Sequence, residues 1–134
     1  MKIKTLILAS ILLFVWNVAA ADDSPSDNAF YNGVSAYRAR NYNEAVDWFL
    51  QAAEAGDVEA QFLLGRMHYD GNSLTVNLVT AYMWFDITAE RGMRVGARYR
   101  NGIAESMSEE DVALAKTRAN EWRRTHPAAI TRLQ

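Results

Sequence analysis

The sequence predicts an all-α fold, a short solenoid of antiparallel helix pairs closed by a C-terminal capping helix. Two observations carry this. Glu44–Gly56 and Thr80–Gly92 share a pattern in which Ala45, Trp48, Phe49 and Gly56 recur as Ala81, Trp84, Phe85 and Gly92, each 36 residues on. A fixed period of this size marks a helical repeat array. Within each copy the apolar residues follow helical spacing. Ala45, Trp48, Phe49 and Ala52 fall at i, i+3, i+4 and i+7, with Glu44, Asp47, Gln51 and Glu54 opposite. No strand pattern competes.

The elements follow in order. Lys2 and Lys4 precede an apolar run from Leu6 to Trp16 and the small residues Ala19, Ala20 and Ala21. This is the pattern of a secretory signal peptide, assigned to residues 1–21. The run is short for a membrane anchor of roughly 20 residues. The expected mature chain is exported and carries no stable membrane insertion; it is periplasmic if the source is Gram-negative and secreted otherwise. With no cysteine, a lipid anchor and disulfides are excluded. Residues 22–27 read as a linker, because Ser24-Pro25-Ser26 discourages a helix.

The repeat domain is expected over residues 28–125, divided at about 28–56, 57–92 and 93–125. Its first helix runs from about Asn28 to Ala39. The second carries the first Trp-Phe face and ends near Gly56, where a left-handed cap is expected. The third covers Asp57 to His68, with Ala60, Leu64 and Gly65 at packing positions. A bulky Trp-Phe pair needs small partners opposite, and Ala and Gly supply them. Asp70 to Asn77 is a polar loop, expected to be more mobile than its neighbours. Asn77 can cap the fourth helix. A fifth spans about Arg94 to Glu105. Ser108 with Glu109, Glu110 and Asp111 starts the sixth, whose end suits Arg123 and Arg124. Pro127 stops it, leaving residues 126–134 as a loosely held tail.

After loss of Lys2 and Lys4 the chain keeps 12 basic and 16 acidic residues. Residues 22–90 are net −8 and residues 91–134 net +4, an asymmetry that solvated helix faces explain. An exported acidic chain is a poor candidate for binding nucleic acid. No metal-site spacing, nucleophile elbow or phosphate loop is present. Consequently no catalytic, cofactor-binding or metal-binding residue is assigned, and no cofactor is expected.

Ala60, Leu64-Gly65, Gly71, Ala81, Trp84, Ala89 and Gly92 together resemble the Sel-one-like repeat, a relative of the tetratricopeptide repeat. The first unit, with Gly33, Ala36-Tyr37, Tyr42, Glu44-Ala45, Phe49 and Ala52, is similar to the tetratricopeptide form. Ala97, Arg100, Ile103, Met107, Glu110 and Trp122 resemble the ending of exported bacterial members. The sequence departs from the family at His68, Ser73 and Asn77, where Tyr, Gly and Asp are usual. His68 reads as a packed aromatic substitute.

The resemblance implies a right-handed solenoid whose first helices line a groove. Phe30, Val34, Tyr37, Phe62, Arg66, Tyr69 and Arg98 are then the candidate partner-binding residues, and Arg38 shares their helices. Trp48 and Trp84 are assigned to packing between helices. The implied function is a non-catalytic adaptor or scaffold of the cell envelope, monomeric, binding a protein or peptide. Two alternatives stand beside it. One is a cell-wall enzyme or muropeptide-binding protein, although relatives of that kind are rich in paired cysteines. The other is a structural subunit of an envelope complex. A further possibility is that the sixth helix fills the groove, with Trp122 as plug.

Overall fold

The structure is a computed structural model that describes residues 25–72 and 75–131. The signal peptide over residues 1–21, its cleavage site, residues 22–24, Ser73 and Leu74 lie outside the described residues. Six α-helices follow one another: α1 (Pro25–Arg38), α2 (Tyr42–Glu54), α3 (Val58–Asp70), α4 (Leu78–Glu90), α5 (Arg94–Ala104) and α6 (Glu109–Thr125). A 3-10 turn covers Pro127–Ala129. The chain is an all-α helical-repeat solenoid, and no strand occurs among the described residues.

The helix ends explain the boundaries. Asp57 Oδ1 accepts from Ala60 N at 2.8 Å, and Asn77 Oδ1 from Thr80 N at 2.9 Å. Ser108 Oγ accepts from Asp111 N at 3.1 Å. Each side chain satisfies a donor that the first helical turn leaves open. At the other end, Gly56 N–H donates to Ala53 O and Asp57 N–H to Ala52 O. Gly92 and Met93 repeat this with Ala89 and Thr88. Both glycines are left-handed, with φ of 97° and 86°. This closure needs a residue at positive φ, where a Cβ is strained. The first hairpin makes the same closure with Arg40, at φ 64°, a conformation costly for a residue with a side chain.

Two expectations at the ends of the domain are corrected. Of the stretch read as a linker, residues 25–27 belong to α1, which begins at Pro25 and buries Ser26. Proline is well suited to a first helical position, because its missing N–H would have no partner there. Nor is the tail loose as far as it is described. Ala129 is fully buried, and its backbone lies 3.2 Å from where a Cβ on Gly56 would sit.

Packing follows the repeat. A Cβ on Gly33 would stand 2.6 Å from the Phe49 ring, and one on Gly65 would stand 2.7 Å from the Phe85 ring. Each phenylalanine of a second helix therefore lies directly on a glycine of the first, as the small-against-large pattern predicts. The two tryptophans behave differently. Trp84 is buried at 3% exposure, its ring edge-on to Trp122 at 5.3 Å. Trp48 is only half-buried, and its Nε1 donates to Glu44 Oε1 at 3.3 Å. The expected burial of both is corrected for Trp48. The physical reason is that α6 packs along α4 and covers Trp84, while nothing comparable covers that face of α2.

The third unit is thus not a third copy of the hairpin. The principal neighbour of α6 is α4, not α5. Two buried polar networks fix the arrangement. Asp86 of α4, 7% exposed, receives Arg123 Nη2 at 2.8 Å and Arg100 Nη1 at 3.1 Å. Arg123 Nε also pairs with Glu90 at 2.9 Å. Arg91, equally buried, donates from Nη1 to Gly56 O at 2.8 Å and to Gln61 Oε1 at 3.0 Å. Gln61 in turn donates to Ala53 O at 3.0 Å. Arg91 and Gln61 therefore satisfy carbonyls at the end of α2, where the helix dipole favours a cation. Burial pushes the Arg91 pKa down, partly opposed by Asp57.

Candidate functional site

The first helices α1, α3 and α5 carry a series of adjoining depressions. One, of about 420 Å³, is lined by Val34, Tyr37 and Arg38 of α1 and Leu63, Arg66, Met67 and Asp70 of α3, with Phe49 below. A second, of about 450 Å³, is lined by Tyr69, Val95, Arg98, Tyr99, Gly102 and Ile103. A third, of about 470 Å³, lies along α1, between Phe30, Tyr31, Val34, Ser35 and Arg38.

Local sequence explains why these side chains face outward together. Copies of the first helix are offset by 32 residues between Gly33 and Gly65, and each glycine faces its own phenylalanine. Fixing that face fixes the rest of the helix. Tyr37 and Tyr69 then occupy equivalent positions, at 37% and 39% exposure. Val34 and Arg66 are likewise equivalent. Further along, Arg98 stands where Phe30 and Phe62 stand in the earlier copies.

Arg66 joins the first two depressions. It lines the first, and its guanidinium sits 5.1 Å from the centre of the Tyr99 ring in the second. Two of its N–H groups donate to one oxygen of Asp70, at 2.9 and 3.2 Å. Burial penalises its charge, but the hydrogen bond and the attraction of Asp70 outweigh that, so its pKa is raised. At the rim, Asn72 Nδ2 donates to the Tyr37 hydroxyl at 2.9 Å, tying the start of the α3–α4 loop to α1. At its far end Asn77 N–H donates to His68 O at 3.0 Å.

Six of the seven candidate residues line this face: Phe30, Val34, Tyr37, Arg66, Tyr69 and Arg98. Phe62 differs. Its ring packs on Phe85 and on Tyr99, each at 5.6 Å, and it supports the face from beneath. Sequence reasoning did not select Tyr31, Leu63, Met67, Asp70 and Tyr99. Repeat register could have found Tyr31, Leu63 and Tyr99, which are equivalent positions in the three copies. The α6 helix does not plug this face, since Trp122 packs edge-on against Trp84 on α4.

A separate polar cleft of about 460 Å³ lies where α4, α5 and α6 meet, lined by Tyr82, Asp86, Glu90, Arg100, Asn101, Lys116 and Asn120. Its carboxylates are paired with Arg100 and Arg123. Burial, followed by the nearby Asp86 charge, raises the Tyr82 pKa. No described helix is long and apolar enough to cross a membrane, and no group of three or more candidate metal ligands occurs among the described residues.

The Sel1 repeat family profile matches residues 28–57 and 58–93. No curated protein matches the chain. Among solved structures, a protective antigen of uropathogenic Escherichia coli with an SLR fold superposes with a TM-score of 0.70 at 24% sequence identity. The match covers 81% of this chain and 25% of that protein, so this chain spans about a quarter of its length. Identity at that level speaks to the fold. The two contiguous repeat matches, the glycine–phenylalanine pairs that recur in them and the shared architecture lead to one conclusion: the chain is a Sel1-like repeat protein.

Proposed function

We propose that this protein is a non-catalytic adaptor of the cell envelope, exported by its N-terminal segment, that binds a protein or peptide on the face formed by α1, α3 and α5. Sel1 repeats generally mediate protein–protein interaction. One observation carries the assignment to this face. The second helices bury Phe49, Trp84 and Phe85 in internal packing, whereas the first helices leave Tyr37, Tyr69 and Arg98 at the surface beside open depressions. Aromatic and arginine side chains are the types that dominate binding energy at protein interfaces. Open, shallow depressions on several helices suit an extended partner and offer no enclosed site for turnover.

Site-directed photocrosslinking in intact cells of the source organism tests this. A photoreactive phenylalanine analogue at Tyr37 or Tyr69 is expected to trap the same partner. The same analogue at Leu50 or Leu114, exposed on α2 and α6, is expected to trap none. Adducts from Leu114 with none from Tyr37 or Tyr69 would move the interface to α6. Recovery of the adducts with the cytoplasmic fraction would overturn the envelope assignment.

A further inference from the structure

We infer that the occupant of the α1–α3–α5 face is an acidic peptide segment carrying an aliphatic side chain; this rests on the adaptor reading and names its partner by chemistry. The first observation is apolar. The α1–α3 depression is walled by Val34, Leu63 and Met67 above the Phe49 ring. Met67 and Phe49 are themselves buried, so the floor is already set by the core and needs no rearrangement to receive a branched aliphatic group.

The second observation is charge. Three guanidinium groups, Arg38, Arg66 and Arg98, line the depressions against the single carboxylate of Asp70. Asp70 is committed to Arg66. Arg38 and Arg98 make no ion pair among the described residues, which leaves a net positive face on a chain whose formal charge is −2. Arg38 ends α1, where a cation complements the helix dipole, so that position has a local explanation. Arg98 has none. It lies inside α5, at the repeat position that holds Phe30 and Phe62 in the other copies. The third unit therefore places a charge where the first two place an aromatic ring.

Arg66 adds direction. Held by Asp70 and placed over the Tyr99 ring, it lies between the depression that Arg38 lines and the one that Arg98 lines. A segment lying across the three helices meets Arg38 at one side, the aliphatic depression beside it, and Arg98 beyond Tyr69. Free guanidinium groups pair with carboxylates through two parallel N–H bonds, which gives orientation as well as attraction.

The test uses fluorescence anisotropy with three labelled synthetic peptides of equal length, one alternating glutamate and leucine, one lysine and leucine, one glutamate and serine. The glutamate–leucine peptide is expected to bind at least about tenfold more tightly than either of the others, and more weakly as salt rises. The double change Arg38→Glu with Arg98→Glu is expected to remove that affinity and favour the lysine–leucine peptide, with the variant still folded and its thermal midpoint lowered only by the reversed charge at the end of α1. Equal binding of the lysine peptide by the parent protein, or unchanged glutamate–leucine binding by the variant, overturns the inference. A dimer of the parent protein that the variant loses would make a second copy the occupant and would also overturn it. Sequencing the segment crosslinked at Tyr69 separates the two levels. A basic or uncharged segment sinks the acidic partner and leaves the adaptor standing, whereas no adduct from this face sinks both.

Discussion

Replacing Gly65 by alanine should destabilise the protein, although the change improves intrinsic helix propensity. The added Cβ would lie 2.7, 2.9 and 3.2 Å from three ring atoms of Phe85. That ring cannot swing aside. It is fully buried, with Phe62 at 5.6 Å and Tyr99 at 5.0 Å from its centre. Forcing a methyl group into such a contact costs about 1–3 kcal/mol. Alanine recovers about 1 kcal/mol over glycine inside a helix. The net expectation is a loss of up to about 2 kcal/mol, against about 4–8 °C of melting temperature per kcal/mol for a small domain. Gly102 supplies the control. It also lies inside a helix, but a Cβ there meets nothing within 4 Å. Gly102→Ala should therefore raise the midpoint. Thermal unfolding of both variants by circular dichroism at 222 nm, a standard helix wavelength, reads the sign directly. If Gly65→Ala is as stabilising as Gly102→Ala, the α3–α4 contact is looser than described, and the glycine–phenylalanine account of the repeat fails.

Three further expectations follow from the packing and the buried polar groups. Trp84→Ala should cost about 3–5 kcal/mol, and the half-buried Trp48→Ala about 1–2 kcal/mol, both measurable as shifts in urea midpoint. Arg91→Leu leaves Gly56 O and Gln61 Oε1 without their donor, and should lower stability by about 1–3 kcal/mol at an unchanged urea m-value. His68 is half-buried with Nδ1 unpaired, and burial lowers its pKa. The unfolded chain then binds the proton more readily, so the stability His68 contributes is present above pH about 6.5 and is lost as pH falls below it. A His68→Phe variant should show a flatter stability profile between about pH 7 and 5 than the parent, and an identical slope would contradict the assignment.

The two hairpins were legible because their determinants are local and repeated. Gly33 with Phe49 and Gly65 with Phe85 announce the packing by residue size alone, and Asp57, Asn77 and Ser108 mark helix starts by their capping chemistry. Misread features depend on what a helix meets far along the chain. The register of Trp48 and Trp84 is the same, yet α6 lies over only one of them. The tail gave no periodic signal, because a single 3-10 turn buries Ala129 against a backbone surface at Gly56. Nothing in the local sequence separates Asp86 and Arg91 from ordinary solvated charges. Their partners, Arg123, Arg100, Gly56 and Gln61, come from other helices and helix ends that the repeat itself does not specify.

A signal for the position of α6 does exist in the comparison of the two copies. Asp47, Leu50 and Gln51 on α2 become Met83, Asp86 and Ile87 on α4. Asp47 and Gln51 are exposed, whereas Ile87 is 1% exposed and Met83 packs against the core. Gaining apolar residues on the formerly polar face of an amphipathic helix means that a further element covers it. The new carboxylate at Asp86 means that the covering element brings cations, which Arg123 and the neighbouring Arg100 supply. Those changes draw α6 onto α4, on the face away from the depressions of α1, α3 and α5. They also account for its ending, where Trp122 meets Trp84 and the 3-10 turn reaches Gly56. The basic C-terminal half is in part a counterpart to this substitution, since Arg91, Arg100 and Arg123 are all consumed internally. Among the described residues, Arg38, Arg94 and Arg98 of the first helices make no ion pair, and of these Arg38 and Arg98 line the face proposed for a partner.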